Sequence, residues 1–139
     1  KAGLGLLMSK RSSERAVAFL EDVAVAPNKL GSFLTQFKKY FDEAGKNTGF
    51  YGHAGAGCVH VRPMLDLKKD ADLELMVKSM EDISDLVKEY GGALSGEHGD
   101  GLTRSWLNEK MFGETVYGLF KKLKEAFDPD NLYLSCLPV

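Results

Sequence analysis

Several familiar signals are scarce or missing in this chain. Two cysteines, Cys58 and Cys136, stand far apart, a poor disulfide framework that fits a reducing compartment. The net charge is only −2, which leaves no electrostatic footprint for nucleic acid. No apolar run approaches the ~20 residues that span a bilayer. The opening Lys1-Ala2-Gly3-Leu4-Gly5-Leu6-Leu7-Met8 is too short and too weakly flanked for a secretory signal. No internal linker or low-complexity segment interrupts the 139 residues, so the expectation is one domain, long enough to bury roughly 68% of its unfolded surface. Residues 1–15 read as a lead-in, and a first residue that is not methionine suggests a fragment of a longer chain.

Glycine, by contrast, is plentiful and clustered. Two of the three histidines fall in Gly49-Phe50-Tyr51-Gly52-His53-Ala54-Gly55-Ala56-Gly57-Cys58-Val59-His60-Val61-Arg62-Pro63, and the third in Gly96-Glu97-His98-Gly99-Asp100-Gly101. Such glycines give up packing for backbone freedom or close approach, so imidazole and carboxylate among them point to a site.

Around these segments the hydrophobic period alternates between strand and helix. Ala16–Val25 is rich in β-formers and predicts one strand, ended by Pro27-Asn28, with Asn28 placed to cap the helix after it. Leu30, Phe33, Leu34, Phe37, Tyr40, Phe41 and Ala44 recur at helical spacing, which predicts an amphipathic helix over 29–44 whose aromatic stripe is core. Two short strands then flank Ala54–Gly57. A second helix over 71–90 ends at Gly91-Gly92, and Ala93-Leu94-Ser95-Gly96 predicts a short fourth strand. The tail predicts a short helix capped by Ser105 and running through Phe112, a break at Gly113, a helix over 116–127 and a turn at Asp128-Pro129-Asp130-Asn131. The order β-α-β-β-α-β with added C-terminal helices predicts an α+β, ferredoxin-like antiparallel sheet, its second face available to a ligand or partner.

Alternation along a strand puts Tyr51 and His53 on one face, and Cys58, His60 and Arg62 on one face of the next. Two histidines and a carboxylate suit a divalent transition metal, typically zinc, with a position left for substrate. His98 then suits a general base, and Arg62 a clamp for a substrate carboxylate. Blander readings stand beside these. Cys58 can join His53 and His60 in a Cys/His set or be an inert buried thiol, Arg62-Pro63 can mark a strand edge, and Asp100 can be a turn residue. Gly52-x-x-Gly55-x-Gly57 loosely matches a dinucleotide fingerprint, but that motif needs a helix after it, and a strand is expected here.

Taken together, Tyr51-Gly52-His53-Ala54-Gly55-x-Gly57-x-Val59-His60-x-Arg62-Pro63, Ser95-Gly96-Glu97-His98-Gly99-Asp100-Gly101-x-x-Arg104, Lys110-Met111-Phe112-Gly113 and Ala126-Phe127-Asp128-Pro129-Asp130-Asn131-Leu132 resemble the C-terminal domain of FAD-linked oxidases. That family includes D-lactate, glycolate and D-2-hydroxyglutarate dehydrogenases. The resemblance covers nearly the whole chain from about Ala16. It implies a substrate-binding cap domain, inactive alone, of an FAD-dependent oxidoreductase that oxidises a D-2-hydroxy acid to a 2-oxo acid. FAD is then bound mainly by a separate N-terminal domain of the same protein. The resemblance further implies His53, His60 and Glu97 as ligands of zinc or another divalent metal, and His98 as the base. A metal or small-ligand module without redox activity and a structural ferredoxin-like domain are the rival readings.

The chain departs from the family in two places. Gly55-Ala56-Gly57-Cys58 stands where most relatives have Gly-Asp-Gly-Asn, and Tyr133-Leu134-Ser135-Cys136-Leu137-Pro138-Val139 replaces the usual ending. The His-x-x-x-Gly-Cys-x-His-x-Arg-Pro form resembles a subgroup fused to a cysteine-rich iron–sulfur domain. That implies an Fe–S cluster in a C-terminal part and a downstream electron acceptor. The expected setting is cytoplasmic, with peripheral attachment to the inner membrane as an option for the longer protein.

Overall fold

The computed structural model describes residues 12–133. Most of the expected lead-in and the end of the tail, residues 1–11 and 134–139, lie outside the described residues. The chain divides into two units, Lys1–Glu97 and His98–Val139.

The first unit carries β1 (Arg15–Ala16), β2 (Val23–Ala24), α1 (Leu30–Glu43), β3 (Thr48–His53), β4 (Cys58–Leu65) and α2 (Asp70–Glu89). β4 is its spine. β3 pairs antiparallel with it from Thr48↔Pro63 to His53↔Cys58, and β1 and β2 pair antiparallel with its other edge. Ala93 bridges Ala24 in turn. The pairing thus realises the expected antiparallel β-α-β-β-α-β arrangement, with two departures.

The single strand expected over 16–25 is two short ones. Ala16 pairs with Met64 and Val23 with Val59, so six residues, 17–22, stand opposite four, 60–63. The surplus is a bulge, within which Phe19 and Leu20 turn into the core. The fourth strand shrinks to its one bridge. Ala93 and Ala24 exchange backbone bonds at 2.8 and 2.9 Å and Gly96 N–H reaches Asp22 O at 2.6 Å, but Glu97 N–H is taken by the Asp22 side chain, which ends the ladder.

The helices follow their stripes. Phe33, Phe37 and Phe41 of α1 are fully buried, and Phe37 meets Phe50 of β3 edge-on at 6.1 Å. Burying each such ring is worth about 1.5–3 kcal/mol. α2 buries Met80, Ile83 and Val87 and joins α1 through Phe33–Tyr90 ring contact and a Tyr40 hydroxyl donated to Asp82 at 2.6 Å. Asn28 does not cap α1. It lies in a 3-10 turn, Pro27–Lys29, and Lys29 holds the cap position without a side-chain bond.

In the second unit, α3 (Gly101–Arg104), which the sequence does not predict, leads through a 3-10 turn, Ser105–Leu107, into α4 (Asn108–Phe127). The predicted break is present: Gly113, at φ 79° and ψ 161°, interrupts α4. Ser105 heads the 3-10 turn rather than capping a helix. Leu119, Leu123 and Phe127 form an exposed apolar stripe. The turn after Asp128 is tied by its carboxylate, which accepts the N–H groups of Leu132 and Tyr133. No helix among the described residues is long and apolar enough to cross a membrane.

Candidate functional site

The register of β3 on β4 decides which side chains meet. Phe50 opposes Val61, and Tyr51 opposes His60, so alternate residues face α1 and the rest face away from it. Tyr51 and His53 share one face of β3, and Cys58, His60 and Arg62 one face of β4, as alternation predicts, and the register makes both the face turned away from the helix. Between the strands the chain makes a 3-10 turn, Ala54–Ala56, and Gly57 enters β4 at φ 70°. A Cβ on Gly57 would lie 1.8 Å from Val25 O, so that position is closed to any other residue. β4 follows directly, so the dinucleotide reading fails in the structure as it does in the sequence.

On that face the two imidazoles converge on one atom. His53 Nε2 and His60 Nε2 each lie 3.2 Å from Glu97 Oε1, with the rings perpendicular and their centroids 5.6 Å apart. The bend at 96–98 turns Glu97 toward them. Two donors on a tetrahedral zinc with bonds of ~2.0–2.1 Å sit about 3.3–3.4 Å apart, so each histidine–Glu97 spacing, and the chemistry of the three donors, fits such an ion. His60 is only 4% exposed, and the ring of Tyr51 lies beside its own at 4.9 Å. His53 is at the exposed rim.

Beneath them lies a carboxylate that the sequence does not single out. Asp22 is completely buried and has a left-handed φ of 77°. Its oxygens accept the Glu97 backbone N–H at 3.0 and 3.2 Å, the Ser95 hydroxyl at 2.8 Å and the Cys58 thiol at 3.5 Å. Asp22 Oδ1 lies 3.9 Å from His60 Nδ1. Among the described residues, donor atoms of Asp22, Cys58, His60 and Glu97 form a compact set, all within 4.8 Å of one another, and His53 is not part of it. Burial, and then the hydrogen bond to Asp22, push the Cys58 thiol up to about 11. Gly96 makes room for its sulfur: a Cβ there would meet Sγ at 2.9 Å.

Arg62 shares the face but is already engaged. It is ion-paired with Glu21 and donates to the Tyr51 hydroxyl from Nη2 at 3.0 Å and Nε at 3.3 Å. Glu21 and Asp22 are the last two residues of the bulge, which therefore delivers one acid to Arg62 and the other to the histidine cluster. The structure thus gathers three predicted residues, His53, His60 and Glu97, and sets Arg62 beside Tyr51 on the same face. His98 follows Glu97 as the first residue of the second unit, at an exposed position. The missed residues, Glu21 and Asp22, left one trace in the sequence, two acids in a row inside an otherwise apolar strand pattern, and Ser95 stands in a quoted motif without a role assigned to it.

Comparison with known proteins extends this picture. The sequence pattern of the family described as FAD linked oxidases, C-terminal domain, matches residues 5–134. A D-2-hydroxyglutarate dehydrogenase of Pantoea ananatis is 39% identical over 132 residues, covering 94% of this chain and 13% of that protein. The protein of the same name from Escherichia coli is 37% identical over 131 residues, again 94% and 13%. A D-lactate dehydrogenase of Anaerostipes hadrus is 31% identical over 112 residues, 80% of this chain and 24% of that protein. The chain therefore spans about an eighth of the length of the first two relatives.

Proposed function

The chain belongs to the C-terminal domain family of FAD-linked oxidases, and from that premise we propose that it is the substrate-binding cap of an FAD-dependent D-2-hydroxy acid dehydrogenase. The observation that carries the proposal is the convergence of His53 and His60 on one oxygen of Glu97. His53, His60 and Glu97 would hold zinc or a similar divalent ion. Such an ion, when bound, acidifies a hydroxyl and attracts a carboxylate, the two groups that every 2-hydroxy acid presents. The flavin, held by a part of the protein outside this chain, supplies the two-electron acceptor.

The remaining work falls to this chain's own side chains. His60, wedged under Tyr51, fixes the floor of the site, while the exposed His53 and Glu97 form its rim. His98 accepts the substrate's hydroxyl proton as the Cα–H bond breaks, its electron pair leaving as hydride, and C–O becomes C=O. Arg62 attracts the substrate's anionic end, with Glu21 as the competitor that such an anion must displace or sit beside. Relatives named for D-2-hydroxyglutarate, at 37–39% identity, favour a dicarboxylate. Because those relatives are much longer than the D-lactate dehydrogenase matched at 24% of its length, we also propose a further electron-passing segment carrying an Fe–S cluster, which hands electrons to a downstream acceptor.

The test is anaerobic mixing of the full-length, flavin-loaded protein with D-2-hydroxyglutarate, D-lactate, glycolate or malate. Bleaching of the oxidised flavin is expected, fastest with D-2-hydroxyglutarate; no bleaching with any of them would overturn the reading. Turnover of the His98→Ala protein should fall about 10²–10⁴-fold, the usual worth of a positioned base, and near-normal turnover would remove His98 from the role.

A further inference from the structure

We infer that Asp22 is the positioning residue of the histidine–carboxylate cluster: held in a left-handed bulge, it fixes both Glu97 and His60 so that they face one ion. The inference rests on the metal reading above and goes beyond it, because Asp22 is not among the three proposed ligands.

Three observations carry it. The first is conformational. A non-glycine residue with positive φ is uncommon and costs free energy unless its surroundings enforce it. Asp22 adopts φ 77° where the first strand carries two more residues than the stretch of β4 it faces, and bulges of this kind re-aim a side chain beside a site. The second is burial: a fully buried carboxylate is tolerated only with its acceptor sites filled. Here its partners include three groups at the cluster, the Glu97 N–H, the Ser95 hydroxyl and the Cys58 thiol. The Glu97 N–H reaches both oxygens, so the carboxylate grips the backbone of the very residue whose side chain meets the two imidazoles.

The third observation concerns the opposite edge of His60. Its Nε2 points to Glu97 Oε1 at 3.2 Å, while its Nδ1 lies 3.9 Å from Asp22 Oδ1. That separation is beyond a direct hydrogen bond, so the Asp22 charge acts on the far edge of the ring electrostatically; losing a carboxylate partner behind a ligating imidazole typically costs 10–100-fold in metal affinity. Donor atoms of Asp22 lie within 4.8 Å of those of Cys58, His60 and Glu97, close enough to be mistaken for a ligand. Its oxygens, however, are occupied by donors from the chain, which leaves it to orient the others.

The experiment uses cobalt(II) as the probe, titrated into the metal-stripped full-length protein and its Asp22→Asn variant, with visible d–d absorption and equilibrium dialysis as readouts. The amide retains one oxygen to accept the Glu97 N–H but loses the charge facing His60. One equivalent bound by the wild type, a 10–100-fold weaker affinity in the variant and a shifted d–d spectrum support the inference. Equal affinity and an identical spectrum in the two proteins overturn it and leave the metal reading standing. No uptake by the wild type overturns the metal reading and this inference with it. If Asp22→Asn yields no folded protein, Ser95→Ala, which removes one bond from the carboxylate, carries the test: weaker binding with a shifted spectrum supports the inference, and wild-type binding and spectrum overturn it.

Discussion

The two faces of β4 are closed to water by different means. On one, Val61 has no exposed surface and lies in the apolar core, opposite the half-buried Phe50 that Phe37 of α1 meets. On the other, His60 and Cys58 are nearly as buried, yet what surrounds them is a carboxylate, a bent backbone and a second imidazole. An apolar face is stabilised by area, and many side chains of similar volume serve it. A buried polar face depends on a few directed bonds, and each missing partner leaves a desolvated group behind. Neighbours in one strand, His60 and Val61, are therefore held by unrelated physics, and substitutions should separate the two.

The largest expected effect is on the core face. Phe37→Ala empties the space beneath Phe50 and should cost about 3–5 kcal/mol, read as lost hydrogen-exchange protection across α1 and β3 in the full-length protein. If the faces are independent, the protein that remains folded keeps wild-type cobalt affinity; a parallel loss of metal binding would show the two faces to be coupled.

A buried charge pair gives the next effect in size. Lys46, mostly buried, donates to Asp72 at 2.7 Å, and the same Asp72 carboxylate accepts the Asp66 N–H at 2.7 Å just past the end of β4. The hydrogen bond from Lys46 holds the Asp72 carboxyl below its ordinary range, and the bond to Asp72 raises Lys46. The Asp72 contribution is thus present above the ordinary carboxylate pKa and lost as pH falls through its lowered value. The Lys46 contribution is complete below about 10.4, the ordinary lysine value, and is lost as pH rises through its raised one. Lys46→Met should cost about 2–3 kcal/mol near neutrality, the scale of a hydrogen bond between charged groups, and should flatten both limbs of the stability–pH curve. Unchanged limbs would show that the pair contributes nothing.

The smallest effect belongs to Cys58→Ser, which keeps a donor toward Asp22. It should shift cobalt affinity by less than about threefold, a fraction of a kcal/mol; a loss of more than tenfold would make the sulfur a ligand.

Much of the site is legible in the sequence because its parts obey short-range rules. Strand alternation groups Tyr51 with His53, and Cys58 with His60 and Arg62, the pairing of the two strands puts both groups on one face, and glycine spacing marks the bend that brings Glu97 to them. The α1 stripe announces itself as core through its period. What stays hidden is non-local. Asp22 reaches the cluster only because a bulge puts it in a left-handed conformation that no glycine advertises, and the Glu21 partner of Arg62 comes from the same irregularity. The fourth strand falls short of its pattern because a side-chain carboxylate, invisible to strand periodicity, takes the N–H that would have extended it. In α4 the helical stripe is present as its spacing predicts, yet Leu119, Leu123 and Phe127 are exposed: the period identifies an apolar face but not what covers it.

X-ray absorption at the zinc edge of the full-length, zinc-loaded protein is the most direct test of the histidine–carboxylate site. The expected result is a shell of nitrogen and oxygen at ~2.0–2.1 Å with the outer-shell scattering of two imidazoles, and no sulfur. A sulfur scatterer near ~2.3 Å, or fewer than two imidazoles, would contradict it.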